Sequence, residues 1–199
     1  MRKWFPIALA LLVAMLVAAC GGETKPSFKL TDITGARFGK DFHLTDFNGQ
    51  PRSLADFKGK AAVLFFGYTH CPDVCPTTMA ELAQVMQQLG ADAKRVQVLF
   101  VTVDPARDTP QVLKQYVPAF NPTFIGLYGN ADATEKVAKE FNIVYQKQPD
   151  GGSGGSGNYT VDHSAGTYIF DPQGRLRLFA GYGVPAKDYV HDLKLLLAD

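Results

Sequence analysis

Ala61-Ala62-Val63-Leu64-Phe65-Phe66-Gly67-Tyr68-Thr69-His70-Cys71-Pro72-Asp73-Val74-Cys75-Pro76 runs from unbroken apolar sequence straight into a pair of cysteines. Apolar residues without polar alternation, as from Ala61 to Tyr68, are the pattern of a strand buried on both faces. From Pro76 the period changes. Met79, Leu82, Ala83, Met86 and Leu89 share one helical face, and Gly90 ends it. A buried strand feeding an amphipathic helix is the building unit of an α/β sheet. The cysteines therefore sit at the carboxyl end of a strand, where open α/β sheets bind their ligands.

The alternation continues outward from this unit. Val96–Val103 is a second buried strand, and Thr109-Pro110 opens a helix to Phe120 with an N-cap threonine and proline at the first position. Phe124–Tyr128 reads as a short strand. Asp132 and Glu135 have capping-box spacing ahead of a helix through Phe141. Tyr168–Asp171 and Arg175–Phe179 flank the turn Pro172-Gln173-Gly174, and Pro185–Leu197 is a closing amphipathic helix. Upstream, Phe42, Leu44 and Phe47 lead to Asn48-Gly49, a hairpin signal. These elements predict an α/β sandwich with a mixed central sheet flanked by helices and an N-terminal hairpin. The run Gly151-Gly152-Ser153-Gly154-Gly155-Ser156-Gly157 reads as a flexible connection.

The composition excludes several classes. With 199 residues, 46% of them hydrophobic, the chain is long enough for one well-packed domain. A formal charge of +1 leaves no basic footprint for nucleic acid. Three cysteines are too few for a disulfide scaffold. Arg2 and Lys3 precede an apolar run from Ile7 to Ala19, shorter than the roughly 20 residues of a membrane span and patterned as a secretory signal. Its end, Leu16-Val17-Ala18-Ala19-Cys20-Gly21, resembles the lipobox of bacterial lipoproteins. The expected organisation is a signal peptide at 1–19, a tether at 20–39 lipidated on Cys20, and a domain at 40–199. Loss of Arg2 and Lys3 with the leader would turn the charge from +1 to −1. The protein is then an exported lipoprotein, held to a membrane by its lipid and facing the periplasm or another extracytoplasmic space.

That leaves Cys71 and Cys75 in an oxidising compartment, where thiols pair or bind metal. A helix N-terminus favours thiolate, the form that acts as nucleophile and metal ligand. Residues i and i+4 share one helical face, so both sulfurs can converge on one ion or one electrophile. A purely structural disulfide is the weaker reading, since closing so short a loop removes little entropy from the unfolded chain.

Gly67–Pro76 as a whole resembles the signature of the Sco/SenC family of copper-binding, thioredoxin-like proteins. Val103-Asp104-Pro105-Ala106-Arg107-Asp108-Thr109-Pro110 is similar to the family's second characteristic stretch. Asp162-His163-Ser164, followed by Tyr168-Ile169-Phe170-Asp171, is similar to the third. The resemblance implies a thioredoxin-like fold and one copper ion, Cu(I) or Cu(II), held by Cys71, Cys75 and His163. It also implies a metallochaperone that assists assembly of the dinuclear CuA centre of cytochrome c oxidase. Its partners would be the copper-accepting oxidase subunit and a periplasmic copper donor. Two thiolates and an imidazole suit copper(I), but the same donors can hold zinc, so copper over zinc rests on the resemblance.

The competing reading is a membrane-tethered thiol–disulfide oxidoreductase with Cys71 and Cys75 as its redox-active, catalytic pair. Two features weigh against it. Three residues separate the cysteines, where a thioredoxin-type site has two. The loop from Asp162 to Gly166 carries a histidine where such enzymes place a cis-proline. His70, His43 and His191 fall in ordinary contexts, Met79 has core spacing, and Asp73 reads as a solvated loop carboxylate.

Overall fold

The structure, a computed structural model, describes residues 27–149 and 159–198. The leader, Cys20, the start of the tether and the Gly151–Gly157 run lie outside those residues. The described chain forms β1 (Thr31–Asp32), β2 (His43–Asp46), β3 (Pro51–Ser53), β4 (Ala61–Gly67), α1 (Val74–Leu89), β5 (Val96–Thr102), α2 (Pro110–Phe120), β6 (Ile125–Tyr128), α3 (Ala131–Glu140), β7 (Tyr145–Pro149), β8 (Tyr159–His163), β9 (Gly166–Phe170), β10 (Leu176–Gly181) and α4 (Ala186–Ala198). Eight strands make one sheet in the order β1-β10-β9-β4-β5-β6-β2-β3. β4, β5 and β6 run parallel, and every other pairing is antiparallel. This mixed sheet with its four flanking helices is the thioredoxin-like sandwich.

The unbroken apolar runs occupy the centre of the sheet. Every residue of β4 and β5 is buried, as strands covered on both faces must be. Phe65, Phe66 and Phe100 are among the largest fully buried side chains, each contributing about 2–3 kcal/mol by leaving water. The Asn48-Gly49 turn joins β2 to β3, with Gly49 at φ 82°. The Asp46 carboxylate inside it accepts hydrogen bonds from the amides of Asn48 (2.8 Å) and Gln50 (3.0 Å).

Two local expectations are corrected, and one element has no counterpart among them. The cap of α3 is Asn130, whose side chain accepts from the Ala133 amide at 2.8 Å, so the helix starts before Asp132. β7 and β8 form a separate antiparallel ribbon that no hydrophobic period announces. The end of the expected tether is part of the fold: Leu30 is only 6% exposed, and Thr31 pairs with Phe179. Apolar period is weak in this segment because a buried carboxylate fastens it. Asp192, on α4, accepts hydrogen bonds from the amides of Lys29 (3.0 and 2.9 Å) and Leu30 (2.8 Å).

Asp192→Ala leaves two amides without acceptors, in exchange for no packing gain. It is expected to lower stability by about 3 kcal/mol, because hydrogen bonds to a charged group are worth about 1.5–3 kcal/mol each. Urea unfolding checks the loss, and hydrogen exchange at Lys29 and Leu30 should accelerate.

Candidate metal centre

β4 ends at Gly67, and the chain turns through Tyr68–Asp73 before α1 begins at Val74. The helix starts two residues before Pro76, so Cys75 lies in its first turn and Cys71 in the preceding loop. The sulfurs therefore do not share a helical face as the spacing predicts. The Cys75 amide instead donates back to Cys71 Sγ at 3.4 Å, which folds the loop so that both sulfurs face one point. The glycine at 67 permits this approach: a Cβ there would stand 2.8 Å from Cys75 Sγ.

His163 arrives from the other side. It ends β8, opposite Tyr145 of β7, and its Nε2 lies 3.4 Å from Cys75 Sγ. Its Nδ1 faces the Ser164 carbonyl at 3.2 Å. A carbonyl only accepts, so Nδ1 is the donor in that contact, and Nε2 is turned toward the thiol pair. The Tyr68 ring meets the imidazole edge-on, with centroids 5.8 Å apart. The donor atoms of Cys71, Cys75 and His163 all lie within 4.8 Å of one another, the only such metal-ligating group among the described residues.

The two thiols differ in environment. Cys75 is fully buried, whereas Cys71 is partly exposed in a cleft lined by Tyr68, Pro72, Asp73, Val161 and His163. The Cys75 thiol donates to Cys71, and with the amides of Asp73 and Cys75 it holds the Cys71 thiolate, whose pKa falls to about 5. That same hydrogen bond, together with burial, pushes Cys75 far above the ordinary thiol range. The pair thus holds one ready thiolate and one retained proton. Both cysteines are free, with the sulfurs close enough to bind one ion or to oxidise together.

The other candidates stand apart from this point. His70 turns to Thr69 Oγ1 (3.1 Å), His43 begins β2, and His191 contacts Asp192. Met79 is fully buried in the core. Asp73 is the exposed N-cap residue of α1 and accepts from Thr77 Oγ1. Two acids inside the second characteristic stretch have unforeseen roles. Buried Asp108 accepts from Thr69 Oγ1 (2.6 Å), the Thr69 amide (3.0 Å) and Thr102 Oγ1 (2.6 Å), fixing the loop that leads to Cys71. Asp104 faces the ribbon.

A thioredoxin-like domain whose cysteine pair meets a histidine from an added ribbon defines a class of metal-binding rather than plain dithiol protein. The chain belongs to the SCO1/SenC family, whose model matches residues 30–198. It is 41% identical over 138 residues to "Protein SCO2, mitochondrial" of Saccharomyces cerevisiae, a match covering 69% of this chain and 45% of that protein. The chain thus spans about half the length of curated relatives it matches. Bradyrhizobium japonicum ScoI, solved with copper bound, superposes with a TM-score of 0.73 at 39% identity, over 81% of this chain and 100% of that one. The apo Sco1 protein from Thermus thermophilus gives a TM-score of 0.76 at 39% identity, covering 88% of this chain and 100% of that one.

Thiolate is the species that alkylates, so the metal-free protein should react with iodoacetamide on Cys71 at a rate that rises with pH through an inflection at about 5. Cys75 should stay unmodified across that range. Peptide mass spectrometry after timed alkylation reads both sites.

Proposed function

We propose that this protein is a copper metallochaperone: it takes one copper ion on Cys71, Cys75 and His163 and delivers it to the copper-accepting subunit of cytochrome c oxidase, assisting assembly of the CuA centre. The observation that carries this reading is the convergence of two sulfurs and an imidazole nitrogen within 4.8 Å at the edge of a solvent-facing cleft. A family relative solved with copper bound supports the choice of copper over zinc. The donor set is soft and low-coordinate, which suits copper(I).

Copper here is cargo, and the site is built to release it as well as hold it. Cys71 is partly exposed and already deprotonated, so it offers the first contact to an incoming ion. Cys75 loses its proton as the ion binds, since metal ligation requires the thiolate. A recipient's thiolate or imidazole can approach through the cleft and replace the ligands one at a time, so the ion is never free in solution. Copper reaches this protein from an extracytoplasmic donor on the same reading.

Residues 1–19 act as a signal peptide, Cys20 carries the lipid, and the domain works at the outer face of a bacterial membrane. The lipobox-like end of the leader supports this placement. No helix among the described residues is long and apolar enough to cross a membrane. A thiol–disulfide reductase reading draws on one observation, the low pKa of Cys71 beside a protonated Cys75. In that reaction the Cys71 thiolate would attack a partner disulfide, and Cys75 would resolve the mixed disulfide, leaving the pair oxidised and two partner thiols reduced.

Cys71→Ser and Cys75→Ser should each abolish tight copper binding and one-to-one stoichiometry. His163→Ala should weaken affinity about tenfold, equivalent to about 1.4 kcal/mol, with copper(II) more affected than copper(I). Metal analysis and chelator competition measure both. In cells, oxidase maturation should fail with His163→Ala as with Cys71→Ser. Normal oxidase in the histidine variant alone would favour the reductase.

A further inference from the structure

The ribbon that carries His163 is not a strand of the central sheet, and β7 is largely polar and exposed. Its attachment lies in side chains from the domain. Tyr159, Val161 and His163 alternate onto one face of β8. Val161 is buried, His163 meets Cys75, and Tyr159 meets a cluster built by the second characteristic stretch. The Tyr68 hydroxyl accepts from the Val161 amide at 3.1 Å. Arg107 closes the far end of the strand.

Arg107 makes three contacts there. Its Nε donates to the fully buried carboxylate of Asp104 at 2.5 Å. Its Nη1 donates to the Tyr159 carbonyl at 2.9 Å, and its guanidinium lies 3.6 Å from the centroid of the Tyr159 ring. The Tyr159 hydroxyl closes the loop by donating to Asp104 at 2.7 Å. Nη2 is buried without a hydrogen-bond partner, so the group tolerates an unmet donor to keep this stacked position. Lys147 of β7 adds a cation over the same ring at 4.7 Å. One planar side chain thus grips the main chain and the ring of the residue that begins the strand ending in His163.

We propose that Arg107 is a positioning residue for copper binding: by clamping Tyr159 it holds the β7–β8 ribbon on the domain and keeps the His163 imidazole at the thiol pair. The inference rests on His163 acting as a copper ligand. The spacing explains its leverage. Tyr159 and His163 are four residues apart on one extended strand, about 13 Å along it, so tilting the clamped end displaces the imidazole at the other. Lysine cannot replace this group, since an ammonium lacks the fork that bridges a carboxylate and a carbonyl while stacking on a ring.

The test uses Arg107→Ala and Arg107→Lys, each alone and combined with His163→Ala. In the metal-free protein, hydrogen exchange at the Val161 amide should speed up about tenfold or more in Arg107→Ala, since a charge-assisted hydrogen bond is worth at least about 1.5 kcal/mol, while β4 and β5 amides stay protected. In the copper(I)-loaded protein, loss of metal to a chromogenic chelator should be about tenfold faster in Arg107→Ala and Arg107→Lys than in wild type. In the His163→Ala background the same changes should add less than about twofold, because the clamp acts through the imidazole. An equal acceleration in both backgrounds, or none in either, overturns the proposal. Unchanged exchange at Val161 overturns it as well, and does so without reference to copper. Failure of the wild type to bind copper would instead remove the delivery reading, with the exchange result still deciding whether Arg107 holds the ribbon. Should Arg107→Ala not fold, Arg107→Lys, which keeps the charge against Asp104, carries the comparison.

Discussion

The antiparallel pairing of β9 against β4 is the constraint on which the site depends. Phe65 sits opposite Thr167, so the carboxyl end of β4 and the beginning of β9 lie at the same end of the sheet. The cysteine loop leaves β4 just after that end, and His163 stands just before β9 begins. Groups 88 residues apart in the chain are thereby brought into contact. A parallel pairing would have sent the histidine to the opposite end of the sheet. Gly166, at the start of β9, leaves room for the Phe179 ring, which a Cβ there would meet at 2.3 Å.

Four buried carboxylates do much of the fastening around this frame. Asp192 holds the N-terminal segment, and Asp171 holds the β9–β10 turn through Arg175 and Arg177. Asp108 holds the cysteine loop, and Asp104 holds the ribbon through Arg107 and Tyr159. A buried charge is costly unless its lone pairs are filled, and in each case several donors converge on it. The result is directional: apolar packing sets the layers, while the carboxylates set where loops sit to within a hydrogen bond. The loop that carries Cys71 and the ribbon that carries His163 are fixed in the second way, whereas Cys75 sits on a helix packed into the apolar core.

What the sequence made legible follows the same division. The sheet, the helices and the thiol pair were readable because hydrophobic period reports burial, and β4, β5 and α1 are buried. The ribbon was not readable. Tyr145-Gln146-Lys147-Gln148-Pro149 has no apolar alternation, since the ribbon is held mainly by polar contacts, Lys147 to Asp104 in this strand and Arg107 and Tyr68 to its partner β8. The N-terminal segment was misplaced for the same reason, with a distant carboxylate in place of a local pattern. His163 itself was assigned only through family resemblance. No spacing rule connects it to Cys71 and Cys75, and the geometry supplies that link through β9.

The asymmetry of the thiols would tie copper handling, as proposed, to redox state. A disulfide and a bound copper ion draw on the same sulfur electron pairs, so each occupancy excludes the other. Cys71, partly exposed and with its pKa lowered by the Cys75 hydrogen bond, is the accessible sulfur for either process, and Cys75 is the buried one. The imidazole differs from the sulfurs in this respect. It takes no part in forming a disulfide; in the copper reading proposed above it would be the third donor, and it alone of the three groups arrives on a separate, side-chain-fastened element. The site is therefore physically divided: the sheet and helix hold the two thiols that can be oxidised, and the ribbon brings the imidazole that a plain dithiol site lacks.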